Sequence, residues 1–266
     1  MTLLGGFGSA LLLIAQPLAA SGDAAVAATA QVQFAPPVGR AMTYRVTTRR
    51  VGRNGALINF SLVYALQWQR IGRGYQLNAV LQPIDSDAPQ AVTRALTVML
   101  QPLVGEEVAY LVAPDGNRID LVDPTGLWER VTARMQATGA EAGRPEAKQL
   151  AELIAALPAA ERDRLATADI RAMVAPANAA IPVAPIGEGA GVSTTQNGRL
   201  RTIAKVERGT IAPTGAAQVL DTDHVWTIDT ATGLVIRERR QSWIAGENGS
   251  ERTLVEERER ALEFVS

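Results

Sequence analysis

Residues Leu57–Gln69, LINFSLVYALQWQ, have the pattern from which the fold class follows. Its apolar side chains recur at every second position, as Ile58, Phe60, Leu62, Tyr64, Leu66 and Trp68. Side chains of a β-strand point alternately to the two faces of a sheet, so this period predicts a strand with one buried face. At about thirteen residues it is long against the usual five or six. Long strands accumulate twist, which predicts a strongly curved sheet or an open barrel.

The segments on both sides of this strand have the same period of two. Apolar residues alternate before it, at Met42, Tyr44 and Val46, and after it, at Tyr75, Leu77, Ala79 and Leu81. Turn sequences separate the three segments, Asn54-Gly55 and Gly72-Arg73-Gly74. Strands joined by such short turns must be antiparallel. The sequence therefore predicts a three-stranded meander with a continuous apolar face rich in aromatic side chains.

Further turn sequences predict that antiparallel pairing continues along the chain. They are Asp115-Gly116, Asn197-Gly198, Asn248-Gly249 and Asp229–Gly233. The segments beside them have strand composition: Val108–Val112, Arg118–Val122, Leu200–Arg208, Ala217–Asp223, His224–Thr230, Leu234–Ala245 and Arg252–Phe264. We therefore expect strands at both ends of the chain.

The middle of the chain has helical spacing. Trp128, Val131 and Met135 share one face after Asp123 or Thr125, either of which can cap the helix. We expect this helix to break at Gly139 and Gly143, and two more helices to follow, at Pro145–Leu157 and Ala159–Val174. Ala88–Leu103 fits either helix or strand, and Pro176–Gly191 is a connector. Residues 31–266 are thus predicted to form a single α+β domain with a helical insertion at about 123–175, packed on the apolar sheet face.

The first thirty residues have the composition of a signal peptide. A short apolar run, Ala10–Ala15, precedes Pro17 and small residues, and it is too short to span a bilayer. An alternative is a buried N-terminal helix. We predict that residues 1–30 are a signal peptide and flexible start, that the chain is exported to the periplasm, and that no membrane span remains after signal removal.

Composition and motifs narrow the class of function. The chain has no cysteine, which excludes disulfides, thiolate metal sites and a lipidated cysteine. Its net charge of −1 gives no broad attraction to nucleic acid. The single histidine, His224, lies beside carboxylates and is open to two interpretations, a metal ligand or general base and a structural strand residue. Without a recognisable catalytic motif, we predict a non-enzymatic protein with no cofactor and no metal site.

Two charged runs carry both signs, Arg237–Arg240 and Glu256–Arg260. If their strands are neighbours, these residues can form cross-strand ion pairs on an exposed sheet face. We expect them to stabilise the sheet modestly.

The aromatic face of the meander is the predicted site. It consists of Tyr44, Phe60, Leu62, Tyr64, Trp68, Tyr75 and Leu77. In one interpretation these side chains line a concavity that holds an acyl chain. In the other they are ordinary core beneath the helices. Both interpretations would be correct if the helices cover the aromatic face only in part.

Three stretches together resemble the LolA/LolB-like family of bacterial lipoprotein carriers and their periplasmic relatives. They are the meander Met42–Leu81, the Asp115-Gly116 turn with helices after it, and Trp226–Asp229 followed by Thr232–Val235. The similarity lies in the order of elements along most of the chain.

The resemblance implies a strongly curved antiparallel β-sheet, nearly a half-barrel, with helices packed on its concave face. It also implies a periplasmic binding or carrier protein for an apolar ligand such as a lipid or acyl chain. The alternative is a periplasmic protein–protein interaction module that docks an envelope protein and has no small-molecule ligand.

Overall fold

The long strand predicted from the sequence is strand β2, Leu57–Ile71, within a large antiparallel sheet. The structure is a computed structural model that describes residues 32–51, 55, 57–86, 93, 97, 100–141, 152–178, 191–211, 218–245 and 252–265. The predicted signal peptide, the Asn248-Gly249 turn and most of Ala88–Leu103 lie outside the described residues, as does part of the predicted helix Pro145–Leu157.

Eleven strands make up the described sheet. Besides β2 they are β1 Ala41–Val51, β3 Gly74–Leu81, β4 Asp85–Ser86, β5 Glu107–Val112, β6 Ile119–Leu121, β7 Gly191–Asn197, β8 Leu200–Ile211, β9 Gln218–Asp229, β10 Leu234–Ala245 and β11 Arg252–Phe264. Their order across the sheet is β6-β5-β3-β2-β1-β11-β10-β9-β8-β7, and β4 pairs with β2. Since β6 and β7 are the two ends of this order, the described sheet is open, and the fold class is α+β.

The register places the predicted apolar residues on one face. Tyr44 is directly opposite Tyr64, and Val46 is opposite Leu62. Burial alternates along β1 and β3 with the period of two, so Tyr44 and Leu77 are almost completely buried. The predicted meander is confirmed.

Two tight turns have the same form, with glycine first. Ile71 pairs with Gly74 around Gly72-Arg73, and Asn197 pairs with Leu200 around Gly198-Arg199. Gly72 and Gly198 have φ angles of +54° and +58°, which glycine adopts without strain. The Asn197-Gly198 sequence predicted the hairpin correctly, but its turn lies one residue later because glycine takes the first central position.

Strand β9 corrects the prediction of two strands that meet at Asp223 and His224. It pairs continuously with β8 from Gln218 to Asp229. The polar residues do not end the strand because they have partners within the sheet, as in the 2.8 Å bond from Arg208 Nε to Asp221 Oδ1. Ion pairing thus compensates for burial of the Asp221 carboxylate.

Two long helices follow β6: α1 Pro124–Glu141 and α2 Ala159–Asn178. Helix α1 begins after Asp123, whose carboxylate accepts the Gly126 N–H at 2.9 Å. The predicted break at Gly139 is wrong, because one glycine costs a helix only about 1 kcal/mol. Residues 152–156 are also helical. No helix in the described ranges is both long and apolar enough to cross a membrane.

Helix α2 packs on the apolar face of the sheet. Tyr44 Oη donates to the Asp169 carbonyl at 3.2 Å, and Tyr110 Oη donates to the Ala166 carbonyl at 3.1 Å. Ile170 and Met173 of this helix join Tyr44 and Trp68 in the largest core cluster. The tyrosine hydroxyls therefore set the height of the helix above the strands.

The segment before β1 lies across the end of the sheet. Ala35 N–H donates to the Thr232 carbonyl, and the Phe34 ring contacts Trp68 and Tyr75 at centroid distances of 5.7 and 5.4 Å. This close approach requires glycine at position 233, where a Cβ would lie 2.8 Å from the Gln33 carbonyl oxygen.

We expect Gly233→Ala to lower the free energy of unfolding by roughly 2 kcal/mol or more, because it adds this clash to a backbone with a φ angle of +71°. Gly198→Ala is the matched control. Gly198 also has a positive φ angle but open space around its Cβ position, so the cost there is about 1 kcal/mol. Urea denaturation measures both, and equal losses would show that the Gln33–Phe34 contact is not maintained.

Candidate functional site

An apolar cavity of about 330 Å³ lies between the sheet and the helices. Its sheet side is lined by Leu62, Tyr64, Ala79, Leu81, Val108 and Tyr110. Its helix side is lined by Leu127, Val131, Met135, Ile154, Leu165 and Ile170. Most of the lining is apolar, which is typical of a pocket for a small organic ligand.

Both walls follow from sequence periodicity. The strand residues recur at every second position and therefore share one face of the sheet. On α1, Leu127, Val131 and Met135 are spaced by four residues, which places them on one face of the helix. All three are buried. The helix thus presents a continuous apolar ridge to the cavity.

The structure divides the predicted aromatic site into two groups. Leu62 and Tyr64 line the cavity. Tyr44, Trp68, Tyr75 and Leu77 are instead packed in the core cluster, where Trp68 is 0% exposed. Phe60 is half-buried and does not line the cavity.

Asp169 of α2 provides a polar corner in this cavity. Tyr64 Oη donates to Asp169 Oδ2 at 3.4 Å, and Arg260 Nη2 donates to Asp169 Oδ1 at 2.9 Å. Burial, together with the nearby Asp169 charge, raises the pKa values of Tyr64 and Tyr110 well above their ordinary 10. Both phenols are therefore neutral hydrogen-bond donors at physiological pH.

A chain of buried charges extends from this corner across three strands. Arg260 Nη1 donates to Glu238 Oε2 at 2.9 Å, and Glu238 Oε1 lies 2.6 Å from His224 Nε2. Burial acts to raise the pKa of Glu238, but the bonds from His224 and Arg260 outweigh it, so this pKa is lowered. Burial likewise acts to lower the pKa of Arg260, and the surrounding negative charges raise it. The pair is therefore ionised.

The Glu238–Arg260 pair corrects the prediction of ion pairs on an exposed face. Glu238 and Arg260 are directly opposite in the register, as predicted for neighbouring strands, but both are buried on the helix side. The reason is the period of two along β11, which places Arg260 on the same face as the buried Leu262. Helix α2 then covers this face and supplies Asp169 as a third partner.

Other charged groups line the cavity. Glu106 accepts from Arg130 Nε at 2.5 Å and from Arg134 Nη2 at 2.8 Å. Arg162 lies against the Trp128 ring, with 5.9 Å between its Cζ and the ring centroid. A groove of about 480 Å³ between α1 and α2 is also lined by Trp128 and Arg162. These two side chains therefore separate the cavity from the groove.

His224 is held as a neighbour of Glu238 and stacks on Trp226 at a centroid distance of 3.6 Å. Within the described residues no cluster of three or more histidine, aspartate or glutamate side chains could hold a metal ion.

The helix wall and the buried charges are parts of the site that the sequence pattern does not indicate. Helical spacing predicts only a shared helix face for Val131 and Met135 and gives Tyr110 and Asp169 no role, and the charged run predicts Arg260 only as an ion-pair partner on an exposed face. One signal was available for Arg260, since its alternation with Leu262 predicts a shared face. No sequence signal indicated that Asp169 would meet it, because the two residues are 91 positions apart.

Comparison with solved structures finds weak structural similarity. No family model matches the chain, and no curated protein matches it. A solved domain from Vibrio parahaemolyticus, described as a candidate outer membrane lipoprotein-sorting protein, aligns over 85% of this chain and 86% of its own length. The identity is 8% and the TM-score is 0.18. A likeness this low does not establish a shared fold or function.

The pH dependence of stability tests the buried pair. Because the pKa of Glu238 is lower in the folded chain than the ordinary 4.5, the carboxylate stabilises the fold above that pH. This stabilisation is lost as the pH falls through the folded pKa. We therefore expect Glu238→Gln to lose less unfolding free energy than the unmodified chain between about pH 6 and about pH 3, measured by urea denaturation.

Glu263→Gln provides the control, because Glu263 is exposed near the end of β11. This variant should follow the pH dependence of the unmodified chain. If Glu238→Gln also follows it, the ion pair does not form in solution.

Proposed function

We propose that this protein is a periplasmic binding or carrier protein for an apolar ligand, such as a lipid or acyl chain, and that it is not an enzyme. The observation that carries the proposal is the apolar cavity between the sheet and helices. It combines an apolar lining with a few polar groups, Tyr64, Tyr110 and Asp169, which can orient a bound molecule.

The cavity volume sets the size of the ligand. At about 30 Å³ for each water-sized group, the cavity holds on the order of ten such groups. Its volume of about 330 Å³ is near the lower end of ligand pockets. It suits a single acyl chain, or part of one, rather than several.

The proposal includes a curved sheet with the helices on its concave face. Phe34 contacts Tyr75 of β3, and its Cα is 3.0 Å from the Cβ position of Gly233 beside β10. In a flat sheet, four strand spacings separate β3 from β10, about 19 Å. Phe34 reaches both of these places, and this supports bending of the sheet toward the helices.

The periplasmic location rests on the signal-peptide composition of residues 1–30. The non-catalytic assignment rests on the packing of the polar groups. Asp169, Glu106 and Glu238 are each held by arginine side chains, so their negative charges are balanced within the fold.

A second candidate is an interaction module for an envelope protein. Leu153 and Leu165 are 62% and 61% exposed, which leaves apolar surface at the helices. Leu165 also lines the cavity, so a partner that binds there would compete with a ligand.

Filling the cavity tests the carrier function. We expect Val108→Phe to weaken binding of a fluorescent fatty acid roughly tenfold or more, because the larger ring occupies the space of the chain. Val108 is half-buried on β5 and lines the cavity. Binding is measured by fluorescence titration of delipidated protein, and native mass spectrometry of protein purified from a periplasm checks for a bound lipid.

Val192→Phe is the matched control, since Val192 lies on β7 beside a different core cluster. It should leave the affinity for the fatty acid unchanged. Failure of the unmodified chain to bind any lipid, together with a clean ligand-free mass, would favour the interaction module. Equal weakening by both variants would place the ligand outside this cavity.

A further inference from the structure

Two arginines face each other on neighbouring strands of the helix-side face. Arg240 of β10 and Arg258 of β11 are directly opposite in the register. Arg258 lies two positions from Arg260, which contacts Asp169, so both arginines belong to the face that α2 covers in part. Like charges placed directly opposite on a sheet destabilise it. Arg240 is exposed and Arg258 is half-buried, so a negative charge bound between them would stabilise the pair.

Carboxylates within the described residues do not supply that interaction. Neither Arg240 nor Arg258 makes an ion pair with them, and the buried Nε of Arg258 has no hydrogen-bond partner. Glu238 is already bonded to Arg260 and His224. Glu256, two positions along β11 on the same face, is opposite Arg50. An unsatisfied buried donor is costly unless a ligand or water binds it.

The same row of the sheet continues with basic side chains. His224 of β9 is opposite Arg240, and Lys205 of β8 is opposite His224. Lys205 is paired with Glu207, and His224 with Glu238. Arg240 and Arg258 are thus the unbalanced charges in this row. Each guanidinium group offers a forked set of N–H donors, which matches the oxygens of a phosphate or carboxylate, and the register places these two arginines on adjacent strands.

The row leads back to the cavity. Thr48 of β1 lies between Arg258 and Phe60, and Phe60 is two positions from the cavity residue Leu62. Two residues along a strand and two strand spacings separate Leu62 from Arg258, about 12 Å between Cα atoms. An extended arginine side chain covers about half of that distance. A molecule with its chain beside Leu62 can therefore reach the guanidinium groups.

We propose that Arg240 and Arg258 bind the anionic head group of an amphiphile whose chain lies in the apolar cavity. This inference rests on the proposed carrier function and specifies the chemical class of the ligand. The head group is an oxyanion, and it balances the two cross-strand positive charges that the fold itself leaves unpaired.

The test compares three probes on delipidated protein: dodecyl phosphate, dodecanol and inorganic phosphate. We expect the unmodified chain to bind dodecyl phosphate roughly tenfold or more tightly than dodecanol, since charge-assisted hydrogen bonds add to the burial of the same chain. Arg240→Gln and Arg258→Gln should each abolish most of this preference and leave dodecanol affinity unchanged. Isothermal titration calorimetry below the micellar concentration measures all three.

Arg239→Gln is the matched control. Arg239 is the neighbour of Arg240 on β10, is exposed like Arg240, but is opposite Glu259, so Arg239→Gln should keep the preference for dodecyl phosphate. In ligand-free urea denaturation, Arg240→Gln should be at least as stable as Arg239→Gln, because it relieves repulsion between like charges. A much less stable Arg240→Gln variant would mean that the arginine pair is structural, and would overturn the proposal.

The remaining outcomes separate this proposal from the carrier function. Equal affinity of the unmodified chain for dodecyl phosphate and dodecanol overturns the head-group site and leaves the carrier function standing. Binding of inorganic phosphate as tightly as dodecyl phosphate shows a free oxyanion site and overturns the link to the cavity. Binding of neither amphiphile overturns the carrier function itself.

Discussion

The ion pair between Asp169 and Arg260 fixes helix α2 to the sheet. It joins helix α2 to strand β11 at 2.9 Å, and the same arginine bonds Glu238 of β10. A buried charge is tolerated only when it is paired, and removal of one partner from such a network costs about 3–5 kcal/mol. This network therefore couples the position of helix α2 to the burial of the charged strand residues. It also fixes the polar corner of the cavity.

The cavity exists because the sheet face is covered unevenly. Around Trp68 and Leu77 the face is packed by Phe34, Met173 and their neighbours. Around Leu62 and Tyr64 the hydroxyls of Tyr44 and Tyr110 bond to the α2 backbone, and the helix is held above the strands at that height. Side chains beneath it are only half-buried. The result is an apolar, partly closed space bordered by a few polar groups.

Much of the fold was predictable from local pattern. The period of two in β1, β2 and β3, the glycine turns and the helical spacing of α1 act over a few residues, so they are visible in the sequence. The errors arose where tertiary contacts outweigh local preference. Strand β9 continues through Asp223 and His224 because Arg252 of β11 and Glu238 of β10 bond their side chains. Helix α1 continues through Gly139 because one glycine is a small penalty.

Local pattern is enough to assign residues to the helix-side face, because alternation along a strand is a property of the backbone. It therefore identified Leu62 and Tyr64 as part of an apolar face. Only the tertiary structure decided that these two line a cavity while Tyr44, Trp68, Tyr75 and Leu77 are packed. Only the tertiary structure also brought Asp169 to Arg260 and placed Arg240 opposite Arg258. Such pairings depend on the register and on helix placement across long stretches of chain, for which a single sequence carries no local signal.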